Sequence, residues 1–153
     1  MPLRHHTLVA WQRADDLFIS VHRLTHQRFP ASERYELGSQ LRRAAWSIPA
    51  NLVEGIARGQ GRESIRFLKI SRASLSEVGY GLHAATRLGY LTDEELAGYQ
   101  QQLRQIGAPL QGLIKARRID AAKKTSAASV IAMICVAYLR SRRRFFTAKR
   151  TTR

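Results

Sequence analysis

The 153-residue sequence predicts an all-α fold: an antiparallel up-down-up-down four-helix bundle over residues 1–118, followed by a basic and apolar C-terminal extension over residues 119–153. Three observations carry this. Apolar residues advance by three or four through four long segments. Nothing in the first 118 residues alternates with the two-residue period of a strand. The segments are joined by only a few residues, and short connections force sequential helices to run antiparallel.

In the first segment Leu8, Trp11, Ala14, Leu17, Phe18, Val21 and Leu24 form the inward stripe, leaving Arg13, Asp16, Ser20 and Arg23 on the other side. Phe29-Pro30 closes it, because proline disfavours helix in the residue before it. The second helix reads as starting near Ser32, a good N-cap type with Glu33 in the first turn, and as running to about Ala57. Gly55, Gly59 and Gly61 supply the next turn. A third helix then places Ile65, Leu68, Ser71 or Leu75, Val78, Leu82 and Ala85 inward, and Gly89 fits its C-terminal cap. Thr92-Asp93-Glu94-Glu95 is a capping box that opens a fourth helix carrying Leu96, Tyr99, Leu103, Ile106, Leu110, Leu113 and Ile114 inward, with Gly107 and Pro109 expected to bend it.

The extension changes character. Ala127–Leu139 is a 13-residue apolar stretch broken only by Ser129, and the residues from Arg140 onward are densely basic with Phe145 and Phe146 embedded. A bilayer span needs about 20 apolar residues, so no membrane span is expected. The segment reads as a disordered or loosely docked extension. The alternatives are a helix covering a subunit interface or an element lying on an anionic membrane surface.

Charge is the strongest compositional signal, with 26 Lys and Arg against 11 Asp and Glu for a net +15. Residues 1–118 hold 17 basic and 10 acidic side chains, and residues 119–153 hold 9 and 1, so both parts are basic. An anionic partner such as nucleic acid follows, against the alternative of a basic surface with no specific polyanion. Arg58, Arg62, Arg66, Lys69 and Arg72 concentrate around the second turn and third helix. Arg62, Arg66 and Lys69 share one face by their spacing, so this set is the candidate phosphate-binding stripe. Cys135 is the only cysteine, which excludes an internal disulfide and a cysteine-based zinc cluster and fits a reducing, cytoplasmic home. The start of the chain has no apolar stretch of the secretory kind.

The run Gln40–Gly55 carries polar groups where a core is expected. Ser47, Asn51 and Glu54 fall at i, i+4 and i+7, with Pro49 inside the stripe. Proline removes a donor and crowds the carbonyl four residues earlier, so side chains or water must satisfy the freed groups. A structural polar network with Ser74 or Glu77 of the third helix answers this, and Arg42 or Arg43 could neutralise Glu54 or Glu77. The competing reading, Glu54 as general base with Asn51 as oxyanion donor, lacks a nucleophile. Gly55, Gly59 and Gly61 are not a phosphate loop, since no Gly-Lys-Ser/Thr follows and no strand leads in. His22 and His26 stand at a metal-binding spacing, but no third ligand sits at a recognisable offset. No metal or cofactor is therefore assigned.

These residues carry a family resemblance. Trp11 with Ala14 and Leu17, Phe29-Pro30 with Glu33 and Leu37, the run Gln40–Gly55, Phe67-Leu68 leading to Ser74-Leu75 and Glu77, and Leu88-Gly89-Tyr90-Leu91 together resemble the small four-helix bundle proteins encoded in intervening sequences of 23S ribosomal RNA genes. They are similar as well to relatives of that family, the accessory variability determinant proteins of diversity-generating retroelements. The resemblance covers about Leu8 to Ile114. It departs at Ala73, where glycine is frequent, at Ser71, usually alanine, and at His22, commonly tyrosine. It implies a protomer that assembles into a homo-oligomer, a barrel-like pentamer, with a basic surface, and, in the retroelement branch, association with a reverse transcriptase and with nucleic acid. Taken with the charge, the expected partner is RNA or DNA bound without sequence preference. No catalytic residue comes with it. The sequence thus points to a non-enzymatic oligomeric scaffold, with a protein-binding adaptor that has no nucleic-acid role as the alternative.

Overall fold

The computed structural model describes residues 4–148, with side chains described for residues 5–125 and for Met133. Among the described residues a 3-10 turn (Arg4–Thr7) precedes four helices, α1 (Val9–Gln27), α2 (Leu37–Ala57), α3 (Arg62–Arg87) and α4 (Asp93–Ala148), and there is no strand. The chain divides into two units, Met1–Arg118 and Ile119–Arg153.

The first unit is a four-helix bundle whose core the 3.6-residue periodicity built. Ala14, Leu17 and Val21 of α1, Ala45, Ile48 and Leu52 of α2, Leu68, Val78, Leu82 and Ala85 of α3, and Ile106, Leu110 and Ile114 of α4 are fully enclosed. Each large apolar side chain so buried contributes about 1.5–3 kcal/mol. Trp11, Phe18, Leu96, Tyr99, Leu103 and Leu113 pack half-buried around them. Ser71 and Leu75 are both buried, while Ile65 is only half-buried. Helix α4 runs antiparallel to α1. Arg28 at the end of α1 pairs with Glu95 at the start of α4 at 3.3 Å, and Arg13 near the start of α1 donates to the Gln105 carbonyl at 3.0 Å.

Two helix ends follow their sequence signals. Gly89 adopts φ 79° after α3, and the Tyr90 and Gly89 N–H groups donate to the Ala85 and Thr86 carbonyls at 2.9 Å each, a Schellman closure. At the start of α4 the Thr92 N–H donates to the Glu95 carboxylate at 2.8 Å and the Glu95 N–H donates to the Thr92 hydroxyl at 3.2 Å. Helix α4 remains helical through Gly107 and Pro109.

The second helix corrects the sequence reading. It begins at Leu37, not near Ser32, because residues 31–36 wind as turns in which the Gly38 N–H reaches back to the Glu33 carbonyl at 2.8 Å. This wide turn leaves no room for a side chain at Gly38, where a Cβ would stand 2.9 Å from that carbonyl. Arg42 fixes the corner by donating to the Thr25 hydroxyl at 2.9 Å and to the Arg34 carbonyl at 2.8 Å. A local N-cap signal at Ser32 loses to this tertiary clamp.

In the second unit α4 continues to Ala148, and Met133 is exposed. What the apolar stretch Ala127–Leu139 covers, and where Phe145 and Phe146 lie, fall outside the described side chains. Among the described residues no helix is long and apolar enough to cross a membrane.

Candidate nucleic-acid interface

Helices α2 and α3 approach closely because small and hydroxyl-bearing residues line their seam. A Cβ on Gly81 would meet Leu41 Cδ2 at 2.6 Å, and one on Gly55 would meet Leu68 at 3.1 Å. Across this seam serines replace apolar contacts with hydrogen bonds. The Ser47 and Ser74 hydroxyls pair at 2.8 Å, the Ser71 hydroxyl donates to the Ile48 carbonyl at 2.9 Å, and the Ser64 hydroxyl donates to the Gly55 carbonyl at 2.6 Å. The Asn51 amide donates to the Ser47 carbonyl at 2.7 Å and to its hydroxyl at 2.9 Å. Among the described side chains, no buried polar atom lacks a partner. The acceptor freed by Pro49 is the Ala45 carbonyl, yet the side-chain donors reach Ser47 and Ile48. The network therefore fastens α2 to α3 beside the proline.

Glu54 and Glu77 lie outside this network. The Glu54 carboxylate turns to the solvent side and accepts from Arg58 Nε at 2.7 Å, with Nη2 at 2.6 Å. Bringing a carboxylate into the seam would cost more desolvation than a serine network returns, whereas an i, i+4 arginine keeps it hydrated. Glu77 is exposed on α3, and Arg43 is exposed on α2. Neither Arg42 nor Arg43 neutralises either acid: Arg42 is held at the α1–α2 corner. Ser64 was the network member that the sequence reading passed over. Its signal was there, since Ser64, Ser71 and Ser74 repeat at seven and three residues and so share one helical face.

The basic residues divide by what they touch. Arg58 is paired with Glu54, and its guanidinium lies 5.5 Å from the Phe67 ring centroid. Arg72 bridges to α4 by donating to Gln111 Oε1 at 3.0 Å. Arg62, Arg66 and Lys69 remain exposed and converge on an open groove of about 550 Å³. Arg118, from α4, also lines it. Ile65, Ile70 and Ala73 supply the aliphatic part of its lining. The nearest acid is Glu63, 4.0 Å from Arg66, a separation at which an exposed pair contributes little. Four cations gathered in one groove repel one another and favour any anion that settles among them. Arg118 could not be found from periodicity on α3. It belongs to another helix and reaches the groove only through the bundle's closure.

His22 and His26 lie side by side on the exposed side of α1, ring centroids 4.6 Å apart, and extend a line of rings from Trp46 through Phe18, which are 5.3 Å apart, with Phe18 6.0 Å from His22. Partial desolvation first, then Arg42, His22 and Arg34, hold the His26 pKa below its ordinary value. Among the described residues no three His, Cys, Asp or Glu side chains gather as metal ligands.

An antiparallel bundle with a serine-stitched seam and a cationic groove defines the class: a basic four-helix bundle protein. Within that class the chain belongs to the 23S rRNA-intervening sequence protein family, whose sequence profile matches residues 6–112 and so spans the bundle from the 3-10 turn well into α4. A comparison with curated proteins gives no match.

Proposed function

We propose that the protein is a non-enzymatic basic helical scaffold that binds nucleic acid through phosphate contacts and works as an oligomer in the cytoplasm. The observation that carries this reading is the convergence of Arg62, Arg66, Lys69 and Arg118 on one open groove, where the acid that approaches them is Glu63, 4.0 Å from Arg66 in an exposed pair. Arg58 and Arg72, also candidate contacts by sequence, are engaged by Glu54 and Gln111 and play a secondary part. Glu54 acting as a base is disfavoured because Arg58 already occupies its carboxylate, with Nε at 2.7 Å. The oligomer, and a reverse transcriptase as partner, rest on the family resemblance alone.

The test is fluorescence anisotropy of labelled RNA and DNA against the full chain over a range of salt. Four phosphate contacts give a slope of log affinity against log salt of about −3.6 on duplex, from about −0.9 per contact. Arg62→Gln with Arg66→Gln reduces the magnitude of that slope by about 1.8. Affinity that ignores salt, or no binding at low salt, rejects the proposal. Intact binding of a protein partner to the double variant, with no nucleic-acid binding by either form, favours the adaptor instead.

A further inference from the structure

The groove is not simply a row of charges. Its cations, here the rim, share the lining with an aliphatic part, here the floor, made by Ile65, Ile70 and Ala73. Ile70 is 38 % exposed, which is high for a large β-branched side chain on a helix that buries its other face well. A duplex presents phosphates on its outside and keeps base faces stacked on one another, offering only their edges in the grooves. Laid across this site, a duplex would satisfy the rim and set charged backbone or water over the isoleucines. An unpaired strand has what the site lacks on both counts: phosphates for the rim and an exposed, weakly solvated base face for the floor. On α3 the rim cations are neighbours three or four residues apart, about 5–6 Å between Cβ atoms, so they follow a backbone running along the helix. Arg118 joins them from α4.

Resting on the nucleic-acid reading above, we propose that this groove selects single-stranded nucleic acid, with phosphates held by Arg62, Arg66, Lys69 and Arg118 and a base laid against the floor at Ile70. The selectivity comes from the floor, the salt dependence from the rim. An acidic amphipathic helix would match the same pattern of charge and apolar surface. The strand is favoured because the floor is only three side chains, Ile70 at 38 % exposure among them, short of the several-turn stripe that anchors a helix.

The experiment compares a short oligouridylate with a perfectly paired RNA duplex of equal length, by anisotropy at fixed low salt, for the full-length wild type, Ile70→Ser, and the Arg62→Gln, Arg66→Gln double variant. Ile70 is at the surface, so Ile70→Ser should fold, and circular dichroism confirms it. The expected result is that the wild type binds the single strand about tenfold more tightly than the duplex, the order expected from covering one partly exposed isoleucine side chain. Ile70→Ser should lose most of that margin with duplex affinity unchanged, and the arginine variant should weaken both. Equal wild-type affinity for both probes, each falling with salt, overturns the single-strand inference and leaves the phosphate reading standing. Single-strand preference that survives Ile70→Ser overturns this groove as its source. No binding of either probe overturns both. Concentration-dependent self-association that Ile70→Ser abolishes, without strand selectivity, shows the floor to be covered by a second copy and overturns the inference as well.

Discussion

Gly81 sets how closely α2 and α3 can approach, and replacing it by alanine tests the seam directly. A Cβ there would lie 2.6 Å from Leu41 Cδ2 and 3.0 Å from Leu41 Cγ. Favourable carbon–carbon separation is about 3.5–4.0 Å, so Leu41 must retreat by about 1 Å. It has little room, being 2 % exposed in the core. Overpacking of this kind costs about 1–3 kcal/mol. Alanine also returns about 0.8–1.0 kcal/mol of helix propensity relative to glycine. The enclosure of Leu41 puts the net at about 1–2 kcal/mol destabilising. Gly112 supplies the control: it is an exposed helical glycine with open space around its Cβ position. Gly112→Ala should therefore stabilise by about 0.8–1.0 kcal/mol. Urea denaturation of the full chain, read as a shift in midpoint with unchanged slope, separates the two by about 2–3 kcal/mol. Leu41→Ala costs about 2–5 kcal/mol alone. Combined with Gly81→Ala it should cost less than the sum, since the new methyl then fills space that the leucine vacated. If Gly81→Ala stabilises as much as Gly112→Ala does, the α2–α3 approach is looser than described and the reasoning fails.

Ser71→Ala removes the bond to the Ile48 carbonyl and should cost about 0.5–1.5 kcal/mol in the same urea assay. Glu54→Gln should cost less than about 1 kcal/mol, because its pair with Arg58 is exposed, and a larger loss would show Glu54 to be a seam residue after all. The Thr92 backbone N–H, then Arg28 and the Thr92 hydroxyl, lower the Glu95 pKa against a smaller opposing effect of desolvation. Its folded pKa therefore lies below the unfolded value, so its stabilisation is complete above the ordinary carboxylate range and is lost as pH falls through the folded pKa. Denaturation midpoints from neutral to acid pH should fall less steeply in Glu95→Gln than in wild type. Arg42→Gln removes a positive charge near His26, and an NMR titration should find the His26 pKa raised toward its ordinary value with the bundle less stable.

What could be read from the sequence was whatever local chemistry decides. The stripes of α1, α3 and α4 were legible because an apolar residue every three or four positions has one way to be buried. The capping box and Gly89 were legible because their partners lie within five residues. Ser47 and Asn51 could be paired as i, i+4 neighbours, and Ser74 followed from the seam they face. The start of α2 was not legible, since Ser32 carries the right chemistry for a cap and only Arg42, reaching to Thr25 and Arg34, displaces the start to Leu37. Glu54 was misassigned for a related reason. Its spacing placed it on the stripe, but spacing does not say whether a long side chain turns inward or toward an arginine one turn on.

Counting cations overstates a binding surface, because an arginine can hold a fold together as well as hold a phosphate. In this bundle Arg42 clamps a corner, Arg28 ties α1 to α4, Arg72 bridges α3 to α4, and Arg58 covers Glu54 and Phe67. Each of these gives its donors to protein acceptors, so a polyanion that recruited it would have to break a contact the bundle uses. Arg62, Arg66, Lys69 and Arg118 carry no such commitment beyond the weak approach of Glu63. The net charge is therefore a poor guide to affinity, and the uncommitted charge a better one. Two variants of equal charge change should separate these quantities: Arg72→Gln should lower stability with a small effect on nucleic-acid affinity, and Arg66→Gln should do the reverse. Measured together by urea denaturation and anisotropy, equal losses of affinity in both would mean that total charge, and not the groove, governs binding.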